Sequence, residues 1–530
     1  MYKVLVADSC AKEGLDVFKK YPEIQVDVKT GLSPDELCEI IGDYDGLVVR
    51  SATEFKGKVV DAANKMKVVG RAGAGVDNID VPLSTKKGVI VMNTPGGNSE
   101  AAAELAVTMI MALSRNIVKA SMTMKQNKWD KNALAKTSVE VLDKTLAVVG
   151  AGNIGGIVAN RAVGLKMNVV VYDPFLTEEK ALAMGVKKIE NLDDIWPLAD
   201  YITLHLPKNE KTLNLINKAT IAKMKKGVYI INCARGGIVN EDDLLEALNS
   251  GHVAGAGLDV FNKEPVDADY PLVMHPNVIC TPHLGASTVE AQVNVAIAIA
   301  YQIGDYLTKG VVNNAVNVAS VDSATSLKVA PFVELAQKIG DLYRQTGNLN
   351  IKEIEMKFAG EIYQYPVNMA MNSFLMGLLK DSVEGINFVN SAMSATEKGI
   401  KIIEKKIPEG DDYASELTVS ILHNEGTTVI KGAVFQGGIH RVVGFNDFVV
   451  DFIPAGNLLF TVNEDVPGVI GKLGTIVGEA GLNIANMELG RNKNKQAVSF
   501  IQIDGAIPAN LLSDITTKIK AIKVAKIVTM

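Results

Sequence analysis

The chain has 530 residues, too many for a single hydrophobic core, and roughly three or four domains is the expectation for that length. With 48% hydrophobic and 22% charged residues, and Gly 46 against Pro 17, it has the composition of an ordinary globular protein, which excludes a largely disordered chain. A formal net charge of -6 gives no general electrostatic footing on nucleic acid, so any anion must be bound locally and no nucleic-acid partner is expected.

The opening MYKVLVADSC runs straight into an apolar strand without a basic leader, and no window reaches the roughly 18 apolar residues of a membrane span. A cytoplasmic location is expected, with no membrane partner. Cys10, Cys38, Cys233 and Cys280 are scattered without a CxxC pair or a Cys/His metal spacing, so neither disulfides nor a metal site is expected.

Along the chain, YKVLVA, a helix from about Leu15 to Lys19, then DGLVVRS, KVVGRAG and GVIVMN alternate apolar runs with amphipathic segments, the rhythm of a parallel sheet with crossover helices. A second series runs through TLAVVGAGNIGG, NVVVYD, DYITLHLP, GVYIINCARGG, AGAGLDVF and NVICTPHLG. An α/β fold with two doubly wound, Rossmann-like lobes follows. Between them lies an apolar helix, Glu100 to Ser114, too hydrophobic to face water on either side, and a long helix from Ser287 to Leu307 follows the last strand. Both are expected to join the lobes and cover a subunit contact.

A stretch near Ala319 to Ser326 reads as a domain boundary. Beyond it, PFVELAQKIGDLYRQ with the strands IKEIEMKFAG, ELTVSILHN, TTVIKGAVF and DFVVDFIP predicts an α+β domain. The last segment orders its elements βαββαβ: NLLFTVNE, PGVIGKLGTIVGEAG, IANMELGRN, AVSFIQID, PANLLSDITTKI and IKVAKIVTM, a ferredoxin-like plan. The expected domains are residues 1–97 with 286–318, residues 98–285, residues 319–454 and residues 455–530.

Gly150, Gly152 and Gly155 stand in G-x-G-x-x-G spacing directly after an apolar strand and at the start of a helix. Glycines there permit a tight turn and close approach of a pyrophosphate to the helix-start N–H groups. The next strand ends in Asp173, about 20 residues on, where a ribose hydroxyl partner belongs and where a carboxylate repels a 2′-phosphate. NAD is the expected cofactor.

Arg235 in NCARGG, Glu264 in DVFNKEP and His283 in TPHLGAS fall at the carboxyl ends of successive strands, where ligands of open parallel sheets bind. Oxidising a 2-hydroxy acid requires a base for the hydroxyl proton, for which an imidazole is suited. A carboxylate fixes the tautomer of that imidazole, and a guanidinium can orient the substrate carboxylate in two hydrogen bonds. Arginine is scarce in this chain, yet Arg50 and Arg71 both end strands of the first lobe. They are the candidate phosphate clamps, with Ser51 beside them and Gly73 in the following turn.

GAGNIGG, NCARGGIVNEDDL, AGLDVFNKEP and TPHLGASTVEAQ resemble the motifs of the D-isomer-specific 2-hydroxyacid dehydrogenases. The resemblance implies that Arg235 holds the substrate carboxylate, Glu264 partners the base and His283 is the acid-base. It also implies that Asn153, Ile154, Leu206, Pro207, Cys233, Ala234, Asp259 and Gly285 lie on the cofactor side of the cleft. VRSAT, GRAGAGVDNID and NTPGGNSEAAAEL resemble the phosphoglycerate dehydrogenase branch. They imply 3-phosphoglycerate as substrate, Asn93 as a substrate-side residue, and Lys131 where some relatives carry an arginine that reaches a neighbouring active site.

GAVFQGGIHRVVGFNDFVVDFIP resembles the intervening domain of the long form of that branch, and the end of the chain resembles an ACT domain. The latter implies an L-serine effector near Asn463, Asp465 and Asn483 and a homo-oligomer, tetramer or dimer. Where some serine-inhibited members have a histidine, this chain has Asn463. Another 2-hydroxyacid dehydrogenase, such as a hydroxypyruvate or glyoxylate reductase, and a non-catalytic NAD-sensing regulator stay open as alternatives.

Overall fold

Alternating apolar runs and amphipathic helices build the first half of the chain, and the computed structural model describes residues 1–318, 323–410, 412–505, 507–508 and 510–530. Five strands, β1 (Tyr2–Val6), β2 (Ile24–Val28), β3 (Gly46–Val49), β4 (Val68–Arg71) and β5 (Ile90–Met92), form a parallel sheet in the order β2-β1-β3-β4-β5. β2 is an addition to the strands expected from sequence. As an edge strand it stays half exposed, and Asp27 interrupts its apolar run. The helix expected at Leu15 to Lys19 spans Lys12–Phe18.

A second parallel sheet holds β6 (Thr145–Val149), β7 (Asn168–Tyr172), β8 (Lys187–Lys188), β9 (Tyr201–Leu204), β10 (Val228–Asn232), β11 (Val253–Leu258) and β12 (Val278–Cys280), in the order β12-β11-β10-β9-β6-β7-β8. Strand order reverses between β6 and β9, which opens a crevice at the carboxyl ends of these strands.

The helices Ser99–Ser114 and Val289–Lys309 follow the two crossings of the chain between sheets. The first is not apolar all round. Glu100, Glu104 and Thr108 recur every fourth residue and form a polar stripe facing outward, with both carboxylates paired to Arg161. Ala102, Ala103, Ala106, Met109 and Ile110 are buried on its other face. The second helix completes the core of the first sheet: Val295, Ile299, Ile303 and Leu307 pack with Val4, Val48 and Val68. It lies so close that a Cβ on Gly70 would overlap Ile299 and one on Gly14 would overlap Ala296.

Of the stretch expected to part the halves, residues 319–322 lie outside the described residues, and a helix runs over Ser323–Thr346. It packs with Asn368–Leu379 on a six-stranded sheet of β13 (Ile351–Gly360), β14 (Lys401–Ile407), β15 (Ser415–His423), β16 (Gly426–Val434), β17 (His440–Phe445) and β18 (Phe448–Phe452), ordered β14-β13-β15-β16-β17-β18. The last sheet has β19 (Asn457–Glu464), β20 (Asn483–Arg491), β21 (Gln496–Asp504) and β22 (Ile522–Thr529) in the order β20-β21-β19-β22, with helices Val469–Glu479 and Leu511–Lys518, the expected βαββαβ plan.

These two sheets share one core. Phe500 stacks on Phe452 with ring centroids 4.3 Å apart and meets Phe445 and Phe460 at 5.6 and 5.2 Å. The unit docks on the first lobe, where Asn387 Nδ2 donates to the Gly88 carbonyl at 2.9 Å and Lys86 pairs with Glu397 at 3.0 Å. Among the described residues no single helix is long and apolar enough to cross a membrane. The helices Ser99–Ser114 and Ile117–Lys125 pass that test only as a pair, bent by 64°.

Candidate active site in the cleft between the lobes

β6 delivers the glycine turn. Gly150 has φ +93°, open to glycine and strained for other residues, and a Cβ on Gly155 would overlap the Gly150 carbonyl oxygen. Nothing lies within 4 Å of the place where a Cβ on Gly152 would stand, so that side of the turn is free for a ligand. The helix Asn153–Gly164 starts here and directs its first-turn N–H groups outward. Asp173, just past β7, accepts the Ala151 amide at 2.7 Å and the Phe175 amide at 2.8 Å. The carboxylate therefore holds the turn in shape as well as standing beside it. The donors, the open glycine face and the acid together fit a dinucleotide.

A cavity of about 500 Å³ lies between the lobes. It brings together Arg50, Ser51, Arg71 and Gly73 from the first lobe with Ile154, Leu206, Pro207, Cys233, Ala234, Arg235, Asp259, Glu264, His283 and Gly285 from the second. His283 Nδ1 stands 2.7 Å from Glu264 Oε2, and Glu264 Oε1 accepts the Phe261 amide at 2.8 Å. The hydrogen bond to Glu264 raises the His283 pKa above the ordinary imidazole value against the opposing effect of burial. Burial pushes Glu264 up, but the imidazole, the Phe261 amide and Arg235 outweigh it and hold the carboxyl below its usual value.

The turn that carries His283 is held in an uncommon conformation, with φ +55° at the histidine. Asp259, 1% exposed, secures it. Its Oδ1 accepts the Thr281 hydroxyl and the Leu284 amide, each at 2.6 Å, and Oδ2 accepts the Gly285 amide at 2.8 Å. The His283 amide donates back to the Asp259 carbonyl at 2.9 Å. Asp259 thus fixes where the imidazole points. On the same side, removal from solvent pushes His205 down to about 4, so it is a neutral scaffold bonded to Thr203 at 2.9 Å.

The first-lobe arginines differ in freedom. Arg71 donates to the Gly75 carbonyl at 2.6 Å and the Arg50 carbonyl at 3.2 Å. Arg50 reaches only the carbonyl and hydroxyl of Ser9, at 3.4 and 3.3 Å. Buried Asp8 holds the Arg50 strand end by accepting the amides of Arg50 and Thr53 at 2.6 and 3.2 Å. Asn93 lies outside the cavity lining and donates to the Ala74 carbonyl at 2.5 Å, bracing the turn after β4.

Lys131 is exposed at the start of helix Lys131–Ala135 and does not line the cleft of its own chain. Asn463, Asp465 and Asn483 are in the last sheet. Asn463 is buried with its Oδ1 unpartnered, Asp465 pairs with Arg491 at 2.6 Å, and Asn483 donates to Asp504 at 2.9 Å. The strand register sets Asn463 and Asn483 at opposite ends of the sheet, so one chain does not bring them together.

Sequence reasoning passed over Asp77 and Asn98, which both line the cavity. Asp77 Oδ2 is 3.1 Å from Arg235 Nε, and the Asn98 Oδ1 is buried without a partner. The signal for Asp77 was its place in the turn after a strand already chosen for its arginine. A larger, mainly apolar groove of about 660 Å³, lined by Val118, Met122, Tyr229 and Met274, is remote from these groups and carries no acid-base pair.

Residues 107–285 match the family model described as D-isomer specific 2-hydroxyacid dehydrogenase, NAD binding domain, and residues 328–446 match the D-3-phosphoglycerate dehydrogenase intervening domain. The chain is 41% identical to a D-3-phosphoglycerate dehydrogenase of Synechocystis over 97% of its own length and 93% of the relative's. It is 38% identical to that of Bacillus subtilis, over 97% of each. The cofactor (NAD+) bound 3-phosphoglycerate dehydrogenase of Entamoeba histolytica superposes with a TM-score of 0.51 at 29% identity, covering 60% of this chain and 99% of the other. With the glycine turn, the His283–Glu264 pair and Arg235 around one cleft, the chain is an NAD-dependent oxidoreductase and belongs to the D-3-phosphoglycerate dehydrogenase family of D-isomer-specific 2-hydroxyacid dehydrogenases.

Proposed function

We propose that the protein oxidises 3-phospho-D-glycerate to 3-phosphohydroxypyruvate, the entry step of L-serine synthesis. The observation that carries this reading is the pairing of His283 and Glu264 across the cleft from two strand-end arginines, Arg50 and Arg71. Arg235 orients the substrate carboxylate, and Arg50, the freer of the first-lobe pair, takes the phosphate with Ser51 and the remaining N–H capacity of Arg71. With the Nδ1 proton held by Glu264, Nε2 of a neutral His283 presents a lone pair to the C2 hydroxyl and accepts its proton. The turn around Gly150, Gly152 and Gly155, together with Asp173, would hold NAD, whose chemistry would supply the acceptor for the C2 hydride.

The four sequence-defined units, residues 1–97 with 286–318, 98–285, 319–454 and 455–530, are the proposed substrate, NAD, intervening and ACT domains. The last is read as the seat of L-serine. Because Asn463 and Asn483 stand at opposite ends of one sheet, the effector would bridge two chains of a homo-oligomer. Lys131 would likewise act in a neighbouring cleft. Cytoplasmic location is part of the same reading.

Following NADH absorbance with NAD and 3-phosphoglycerate, glycerate or D-lactate, with and without L-serine, tests the reading. Turnover confined to the phosphorylated acid is expected, with inhibition by serine. Equal turnover on unphosphorylated acids would move the assignment to a broader reductase. His283→Asn is expected to lower kcat by roughly 10²- to 10⁴-fold with NAD binding retained. Turnover within a few-fold of the parent would remove His283 from the acid-base role.

A further inference from the structure

Arg235, on the second lobe, is not empty-handed. Its guanidinium is turned across the cleft toward the turn after β4, where Asp77 Oδ2 lies 3.1 Å from Nε. The approach is close enough that a Cβ on Gly75 would overlap the Arg235 Nη2 group, so position 75 has no room for a side chain. The rest of the fork is held from the second lobe, with Nη1 donating to the Ala234 carbonyl at 2.7 Å. Asp77 itself is mostly exposed, with 63% of its side chain open to solvent, and it lines the cavity.

A carboxylate on the Nε edge of a guanidinium is the chemistry that a 2-hydroxy acid would offer the same arginine. We propose that Asp77 is an internal stand-in for the substrate carboxylate, a positioning residue that occupies Arg235 in the substrate-free cleft and yields it when the acid enters. The inference rests on the reading of Arg235 as the carboxylate-binding arginine.

Charge in the cleft gives Asp77 a second reason to be there. Arg50, Arg71 and Arg235 converge on one cavity. Burial lowers the Arg71 pKa first, and the nearby charge of Arg235 lowers it further, while Asp77 and Asp8 act in the opposite sense. Asp8 is committed to the backbone of the Arg50 and Thr53 turn, so Asp77 is the carboxylate free to move. Holding Arg235 extended while neutralising part of this cluster reduces its attraction for any small anion that lacks the full substrate shape. A correct substrate offers a carboxylate and a phosphate together and displaces Asp77. A lone inorganic anion must compete with it.

The test is Asp77→Asn in the full-length enzyme. The KM for 3-phosphoglycerate is expected to fall about 3- to 10-fold, and the inhibition constant of inorganic sulfate to fall at least as much. kcat is expected to stay within about two-fold, and the KM for NAD to be unchanged, which certifies an intact fold. Asp77→Ser gives a second substitution without the charge and should move the two constants the same way. A KM for the acid that rises or stays level in both variants, with the NAD constant intact, overturns the proposal and makes Asp77 a support for Arg235 in the complex. Arg235→Ala separates this failure from that of the underlying reading. If it leaves the KM for the acid unaltered, Arg235 does not bind the carboxylate at all. If it raises that KM while Asp77→Asn does not lower it, only the stand-in role is lost.

Discussion

The imidazole of His283 is tuned chiefly by its hydrogen bond to Glu264. Because Glu264 raises its pKa above the ordinary value near 6.5, the neutral imidazole that the proposed mechanism uses as base accumulates only as pH climbs through that raised value. Oxidation is therefore expected to rise with pH along a limb displaced to the alkaline side, and the reverse reduction, which needs the imidazolium, to prevail below it. Glu264→Gln removes the charge but keeps the shape, so the limb should move to lower pH and the plateau rate should drop roughly 10²-fold. A kcat/KM profile against pH measures both, and an unmoved limb would separate Glu264 from the tuning of His283. At this scale the sequence points to residues that the fold brings together wherever chemistry demands a rare residue type: the histidine, its acid and the arginines at strand ends all line one cavity. Asp77 escaped notice because an aspartate in a polar turn looks like any solvated charge until a partner from another lobe is placed beside it.

Elements were legible in proportion to their burial. Fully buried strands such as β3 and β5 read as short continuous apolar runs, while β2, half exposed at an edge, and β8, two residues long, left no such trace. The helix Ser99–Ser114 went the other way. Its many alanines and methionines masked the stripe of Glu100, Glu104 and Thr108 that faces outward. What periodicity could not disclose at all was the fusion of the last two sheets through Phe445, Phe452, Phe460 and Phe500, since each ring reads only as an inward residue of its own strand. Phe500, 1% exposed, contacts all three of the others. Phe500→Ala is expected to destabilise this half of the chain by about 3–5 kcal/mol. Denaturant unfolding followed by far-UV circular dichroism should then show one shifted transition for both sheets, and two separate transitions would mean that they fold independently.

Across the whole molecule the C-terminal half is fastened to the first lobe. Asn387 caps the Gly88 carbonyl at 2.9 Å while its own Oδ1 accepts the Val389 amide at 2.8 Å. Phe388 and Val389 enter the core of the first sheet beside Val318. Asn387→Ala is expected to raise amide exchange in residues 81–92 and 386–397 while residues 145–232 keep their protection, a contrast that hydrogen–deuterium exchange with mass spectrometry can read. Uniform exchange across all three segments would show that the docking is dispensable. The same connectivity bears on how the chain is made. The first lobe lacks its covering helix, Val289–Lys309, until the whole second sheet has been synthesised, because Val295, Ile299 and Ile303 are needed to close the core over Val4, Val48 and Val68. On the ribosome, then, the earlier-made strands are covered on this face only by the helix Lys12–Phe18 and Tyr21 until Val289–Lys309 emerges, whereas the residues of the second sheet's core have all been made by then. The part of the chain made first is therefore expected to be among the last to finish its core, and pulse-labelled hydrogen exchange on refolding should show residues 145–232 protected before residues 2–92.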